Sequence, residues 1–301
     1  MPIFNGQIRD IPEPHLTFYL ILQQLWLLGK ECAPRGLKVR ELIDFHYTLP
    51  PRVRFMCFDA RKLNLDYIKQ EFMWYCRGDN KDVSIKHIAK MWDSLINQDG
   101  TINSNYGHYL FSSSAGKNQG YSNFKRAASE LIKDPDSRRA TICILSNDHL
   151  NSDTKDYPCT SYINFHIREN KLIMYVRMRS QDAIFGMGND APCFSFIHEM
   201  MYTVLKVIYK DLQMGNYHHT ADSFHVYERH YEMVEKILHE PFVSVDYHEA
   251  CPSMVDLDIG ILPYISSPHH ISRYKNNPNS PFITWILARD NTETLVNPEH
   301  V

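Results

Sequence analysis

Residues 157–182 read YPCTSYINFHIRENKLIMYVRMRSQD. Two runs rich in β-branched and aromatic residues, Ser161–Ile167 and Leu172–Met178, predict strands. A cysteine directly after proline stands at the entrance of the first, and Arg-Ser-Gln-Asp follows the second. A third strand-like run, Ala140–Leu145, precedes them. Outward from this block the pattern turns helical. Residues 121–133 predict a helix stopped before Pro135, and 193–212 a long apolar helix. Further upstream, 15–29 read as an amphipathic helix ended at Gly29, and 65–77 as a helix ended at Gly78. Between them, 36–57 read as strands around a Pro50-Pro51 turn. Residues 224–239 begin as a strand, FHVY, and continue as a helix. The last fifty or so residues hold six prolines and little periodicity, which predicts a loop-rich tail from about 245. No repeat and no Gly/Ser-rich linker divides the chain. The expectation is one α+β domain over 1–301, a mixed β-sheet packed with helices.

Composition bounds the function. Of 301 residues, 44% are apolar and 22% charged, with 12 Gly and 16 Pro, so collagen-like, low-complexity and disordered chains are excluded. The formal net charge of −3 lacks the basic surplus of a general nucleic-acid binder. A phosphate-bearing ligand must be met by a few placed arginines. Seven cysteines stand singly, with no metal-ligand spacing, which points to a reducing compartment. The start, MPIFNGQIRD, has no signal-peptide pattern. The most apolar stretch, Phe18 to Leu28, is too short to span a bilayer. A cytoplasmic protein without a membrane partner is expected.

Five groups of residues could carry chemistry. Cys159, after Pro158 at a strand entrance, suits a nucleophile if positive charge stabilises its thiolate; taken alone, a cysteine is more often a buried apolar residue. Arg35, Arg138, Arg139 and Arg179 lie in loops beside Ser or Gly, as phosphate-binding arginines do, although any one is more often solvated surface charge. Asp182 and Asp190 flank the glycine-rich turn Phe185-Gly-Met-Gly188; the bland role for Asp190 is to cap the helix that follows. His225 and Tyr227 alternate on one strand face, so both reach toward one hydroxyl. Glu71 interrupts an apolar helix, which is costly unless the carboxyl is paired, functional or on the solvated side.

The order and spacing of these signals resemble the thymidylate synthase superfamily from about residue 15 to about 240. Glu71-Phe-Met-Trp-Tyr-Cys-Arg-Gly-Asp79 is similar to the family's glutamate helix. Trp92-Asp93, Asn105-Tyr-Gly107, the twin-arginine segment Asp134-Pro-Asp-Ser-Arg-Arg139, Pro-Cys159, Arg-Ser-x-Asp182, Phe-Gly186 and His-x-Tyr227 follow in order. The chain departs from the synthases at Thr160, where they carry His. It departs again at Asp190, where an Asn reads the pyrimidine, at Asp222-Ser-Phe-His225, and at the C-terminal NPEHV. Each departure resembles the phage deoxycytidylate hydroxymethylases of that superfamily, as does Ile102-Asn-Ser-Asn-Tyr-Gly107.

The resemblance implies a homodimer formed through the sheet, with Arg138 and Arg139 crossing to the partner's site. It implies a nucleotide monophosphate whose phosphate meets Arg35, Arg179 and Ser180 and whose sugar meets His225 and Tyr227. It implies 5,10-methylenetetrahydrofolate as co-substrate, near Asp182, Trp92 and Tyr106, and no metal or NAD. Cys159 would attack carbon 6, Glu71 would organise water, and Asp190 would read cytosine, giving 5-hydroxymethyl-dCMP for a modified phage DNA. An ionised Asp190 facing the oxygen of uracil would be a buried mismatch. The competing expectations are thymidylate synthase, a CMP hydroxymethylase, a dCMP methylase, and a nucleotide- or RNA-binding regulator without catalysis.

Overall fold

In the computed structural model, residues 7–8, 14–113, 121–151, 154–239, 251–255, 257–262 and 280–288 are described. The elements run β1 (Gln7–Ile8), α1 (Pro14–Leu28), β2 (Lys30–Cys32), β3 (Val39–Leu49), α2 (Leu65–Arg77), α3 (Met91–Leu95), α4 (Tyr106–Phe111) and α5 (Asn123–Lys133). They continue β4 (Thr141–Cys143), α6 (Asn147–Asn151), β5 (Thr160–Arg168), β6 (Lys171–Met178), β7 (Gln181–Asp182), α7 (Phe185–Lys206), β8 (Gln213–Tyr227), α8 (Tyr231–His239) and α9 (Pro281–Leu287). Among the described residues they form an α+β fold with one eight-stranded mixed sheet, ordered β1-β3-β8-β6-β5-β4, with β2 on β3 and β7 on β8.

The fifteen residues of β8 organise the sheet. β3 pairs with it antiparallel, β6 and β7 parallel. Alternation divides the two faces. Phe45, Tyr47, Phe165, Met174, Val176, Tyr217, Ala221 and Phe224 are buried beneath the helices. Tyr162, Asn164, His166, Tyr175, Arg177, His218, Thr220 and Asp222 are partly or wholly exposed on the other face.

Local chemistry sets the helix ends. The Asn64 side chain caps α2 by accepting from Tyr67 N–H at 2.9 Å, and Gly78 ends it in the left-handed region (φ 65°). Gly107 permits the crossing of α4 on α2, since a Cβ there would lie 1.8 Å from the Tyr75 carbonyl oxygen.

Several boundaries differ from the sequence reading. Of the strands expected over 36–57, only β3 forms; the chain after Pro51 is irregular, yet Phe55 and Met56 are buried. Helix α1 is less two-sided than expected, with Leu27 and Leu28 exposed. The helix expected over 193–212 runs instead from Phe185 to Lys206, so the supposed glycine-rich turn is its first two turns. Two contacts explain this. The Asp182 carboxylate accepts from Phe185 N–H (2.7 Å) and Gly186 N–H (3.0 Å), capping the helix in place of Asp190. The Arg61 guanidinium, buried against Ile184 O at 3.0 Å, fills the space a Cβ at Gly188 would need, 2.1 Å away.

Residues 213–223 form strand where none was expected, because their outward positions are polar. The tail holds a helix, α9, capped by Ser280. Phe282 and Trp285 of α9 meet Phe196 of α7 at 5.9 Å. Residues 251–255 dock through Glu199, which accepts from Ser253 Oγ and Met254 N–H while paired with buried Arg54 at 2.8 Å. The NPEHV segment and most of the N-terminal decapeptide lie outside the described residues. Among the described residues no helix is long and apolar enough to cross a membrane.

Gly107→Ala forces a methyl into the α2 backbone. It is expected to destabilise the protein by about 1–3 kcal/mol, read from the urea midpoint at unchanged m-value. An unchanged midpoint would show that the two helices separate freely.

Candidate active site

Cys159 lies one residue before β5 and is partly exposed. Arg179, one residue past β6, is held beside it: its backbone N–H donates to Cys159 O at 2.8 Å, and its guanidinium donates to Pro158 O (3.0 Å) and Tyr157 O (2.7 Å). The guanidinium also stacks over the Tyr157 ring, 4.7 Å from its centroid. Burial raises the thiol's pKa; Arg179 and Arg35 oppose this, while Asp190 and Asp156 add to it. In the single chain burial wins, and the thiol keeps its proton. Buried Asp156 anchors the segment before Cys159, accepting from Ser104 N–H and Oγ, both at 2.6 Å.

Glu71 is 4% exposed, on the inner face of α2. Its Oε1 accepts from Tyr67 OH (3.3 Å) and Tyr75 OH (3.2 Å), and its Oε2 from the Cys193 thiol (3.8 Å). Burial, then the nearby Asp190 charge, raise its pKa to about 8. Burial likewise takes Asp190 to about 7, against the Gln181 amide, whose Nε2 donates to Asp190 Oδ2 at 3.3 Å. Two carboxyls in one low-dielectric pocket thus hold protons near neutral pH. The mismatch expected of an ionised Asp190 against uracil applies only to its charged form. A neutral carboxyl presents one donor and one acceptor.

The aromatic wall is built around Glu71. Trp92 Nε1 donates to Tyr67 OH at 3.1 Å, so buried Trp92 fixes the hydroxyl that holds Glu71. Tyr106 stacks between Tyr75 (5.6 Å) and Phe194 (6.0 Å), and burial raises its pKa strongly. The His225 and Tyr227 rings meet edge-on at 5.0 Å. Asp182 pairs with His225 across β7 and β8. Its Oδ1 is buried with no hydrogen-bond partner among the described residues, a vacant acceptor that fits an N–H donor of a ligand such as a pterin. The Tyr227 pKa is raised by burial first, then by Asp182, with Arg229, Arg35 and Cys159 also acting on it. Arg35 is exposed, in the left-handed region at φ 55°. Ser180 is half-buried between β6 and β7.

The structure therefore brings together Cys159, Glu71, Asp190, Arg35, Arg179, Asp182, Tyr106 and Tyr227, with Trp92 and His225 bordering them. It does not bring Arg138 and Arg139 there. Phe165 N–H donates to Ala140 O, so Arg139 lies level with His166, about 20 Å from Cys159 by the rise of a strand. Both arginines are exposed, in a 660 Å³ hollow with Glu130, Asp134 and Asp136.

Sequence reasoning missed Tyr67, Tyr75, Cys193, Gln181 and Arg61. The Tyr67-Glu71-Tyr75 spacing, one helical turn each way, was the available signal. Cys193 and Arg61 meet partners distant in sequence, whereas Gln181 stands beside Asp182, close to its partner Asp190.

Both raised carboxyls keep, in the folded chain, protons that the unfolded chain loses near pH 4. Through them, stability falls as pH rises from about 4 to about 8. Glu71→Gln removes one. Its stability relative to the parent is expected to improve by about 1 kcal/mol or more between pH 5 and pH 8.5, read from urea midpoints. A difference that does not change with pH would mean Glu71 ionises normally.

The family model described as Thymidylate synthase matches residues 22–254. The chain is 29% identical over 183 residues to the deoxycytidylate 5-hydroxymethyltransferase of Enterobacteria phage T4, covering 58% of this chain and 71% of that protein. The phage T6 protein of the same name is equally similar, at 29%. This chain is also 30% identical over 224 residues to the deoxyuridylate hydroxymethyltransferase of Bacillus phage SP01, covering 71% of this chain and 57% of that protein. With a match that runs from α1 through the segment docked on Glu199, and with the cysteine, glutamate and arginines assembled as described, the chain belongs to the thymidylate synthase family of one-carbon transferases.

Proposed function

We propose that the protein transfers a one-carbon unit from 5,10-methylenetetrahydrofolate to carbon 5 of deoxycytidylate and adds water, giving 5-hydroxymethyl-dCMP. The observation that carries this reading is Glu71, a buried, proton-bearing carboxyl ringed by three donors in the pocket of Cys159 and Asp190. The similarity to phage hydroxymethyltransferases supports it.

Arg35, Arg179 and Ser180 take the phosphate, and His225 with Tyr227 takes the sugar hydroxyl. Cys159 adds as thiolate to carbon 6, which makes carbon 5 nucleophilic. The folate supplies the one-carbon unit, with Asp182 offering Oδ1 to it and Trp92 and Tyr106 bordering it. Carbon 5 attacks that one-carbon unit, loses its proton and expels tetrahydrofolate, leaving an exocyclic methylene on the base. Glu71, once ionised, removes a proton from the water that adds to this methylene, and the Cys159–carbon 6 bond then breaks to return the thiolate.

The site is completed by a second copy. Arg138 and Arg139 reach the partner's phosphate across the polar sheet face, where Thr141, Tyr162, Asn164, His166 and Tyr175 line a 450 Å³ depression. Added arginines shift Cys159 toward the thiolate, against the burial that dominates in one chain.

The second reading keeps every step and exchanges cytosine for uracil. A neutral Asp190 favours it, since its carbonyl and hydroxyl oxygens can face either base edge. So does the similarity to the phage SP01 protein.

Product analysis by mass spectrometry separates them. With methylenetetrahydrofolate, deoxycytidylate is expected to give a hydroxymethyl product and release tetrahydrofolate. A methyl product with dihydrofolate would sink the role given to Glu71, and turnover of deoxyuridylate alone would select the second reading. Glu71→Gln is expected to lose about 10²- to 10⁴-fold in hydroxymethyl formation, and the parent's rate to rise with pH toward about 8. Mixing Cys159→Ala chains with Arg138→Ala/Arg139→Ala chains, each inactive alone, is expected to restore about a quarter of parental activity. No recovery would mean the arginines act within their own chain, or not at all.

A further inference from the structure

Behind Asp190 runs a line of four buried side chains that the proposed chemistry leaves unused. Gln181 Nε2 donates to Asp190 Oδ2 at 3.3 Å, and Gln181 Oε1 accepts from Tyr47 OH at 3.2 Å. The Tyr47 and Tyr217 hydroxyls are neighbours close enough to shift each other's ionisation, and the Tyr217 hydroxyl lies 2.6 Å from His219 Nδ1. The four are at most 2% exposed. They stand on β7, β3 and β8, and Tyr47 and His219, direct partners across β3 and β8, stack at 4.7 Å and 6°.

The proton count along this line has one direction. A hydroxyl carries a single proton, and an amide oxygen only accepts. With the Tyr47 proton given to Gln181 Oε1, the Tyr47 oxygen can only accept from the neighbouring Tyr217 hydroxyl. The Tyr217 oxygen must then accept from His219, so the imidazole proton sits on Nδ1. Burial lowers the His219 pKa to about 3, so the ring is neutral and has no second proton. Its Nε2, the bare nitrogen, has no partner among the described residues. Every donor in the line thus points toward Asp190 and ends on an N–H that fixes Oδ2 as an acceptor. When Asp190 is neutral, its proton then belongs on Oδ1. Reversal needs the amide to flip and every other proton in the line to move.

We infer that the line His219–Tyr217–Tyr47–Gln181 is a specificity determinant, which decides which Asp190 oxygen donates and which accepts toward the pyrimidine. This rests on the reading of Asp190 as the group that faces the base. Cytosine offers an acceptor at ring nitrogen 3 and a donor at position 4; uracil offers the reverse. In a pocket that holds the carboxyl rigidly, moving one proton between its oxygens exchanges one base for the other. The four are positioning residues, and none touches the nucleotide in this scheme.

Tyr47→Phe keeps the ring stacked on His219 and removes the hydroxyl that holds the amide. The ratio of kcat/KM for deoxycytidylate over deoxyuridylate is expected to move at least about tenfold toward equality, with the acid limb of the pH profile displaced. Tyr217→Phe, one residue further along the line, is expected to move both in the same direction by less. Circular dichroism and melting report whether each variant folds, and Tyr217→Phe carries the test if Tyr47→Phe does not fold. Parental base ratio and pH profile in a folded variant overturn the inference. If the parent turns over neither nucleotide, calorimetric affinities for the two give the same ratio. A parent that binds neither removes the base-reading role of Asp190 and the inference with it, whereas a parent that discriminates beside variants that do so equally removes the inference alone.

Discussion

Two carboxyls buried in one pocket are the constraint around which the protein is arranged. An ionised carboxylate in such surroundings is costly, and two near each other more so. The chain meets this by holding both near their neutral forms and by surrounding Glu71 with weak donors: two phenols and a thiol. None of these is a cation, and an arginine or lysine there would fix Glu71 as a permanent carboxylate. The arrangement leaves a proton available near neutral pH, which is the property an acid–base group needs. The cations stand instead on the Cys159 side, where Arg179 and Arg35 favour a thiolate. The pocket thus divides into an acid-bearing wall and a cation-bearing wall.

That division follows from the sheet. Strand β8 carries Tyr217 and His219 inward at mid-strand and His225 and Tyr227 at its end. Its partner β7 delivers Gln181 and Asp182, and the Asp182 carboxylate caps α7, the helix that bears Asp190. A single short strand therefore sets both the start of α7 and the amide that bonds to its Asp190 carboxyl. Arg61 completes the setting by gripping the first turns of α7 at Ile184 O and Asn189 Oδ1. Burial lowers its pKa to about 10, so it stays a cation at neutral pH.

Much of this was legible in the sequence where a signal is local. The hairpin of β5 and β6 and α2 with its Gly78 stop could be read from local pattern, and the order of Cys159, Arg179, Asp182 and His225 from the resemblance to the thymidylate synthase family. The start of α7 was misread for a physical reason. Gly186, Gly188 and Pro192 are poor helix residues by propensity, and only Arg61, more than a hundred residues away, shows why Gly188 is required. Strand β8 was half missed because its outward residues, His218, Thr220 and Asp222, are polar. The tail helix α9 was missed because the residues that pack against its apolar face, Phe55 and Phe196 among them, are distant in sequence.

The outward face of the sheet carries the same logic one level higher. A sheet with helices on one side leaves its other face to solvent or to a partner. Here that face is neither a lysine-rich surface nor an apolar patch. It presents aromatic and imidazole rings, Tyr175 stacked on His218 at 4.9 Å and edge-on to His166 at 5.6 Å. Rings of this kind bury area at small entropic cost and keep a polar edge for hydrogen bonds, as protein interfaces require. Arg138 and Arg139 sit at the margin of this face, far along β5 from their own chain's Cys159. An arginine pair kept exposed beside Asp134 and Asp136 has no assigned work within one chain. In the proposed dimer the pair would add positive charge at the partner's Cys159, where Arg179 and Arg35 alone do not offset burial.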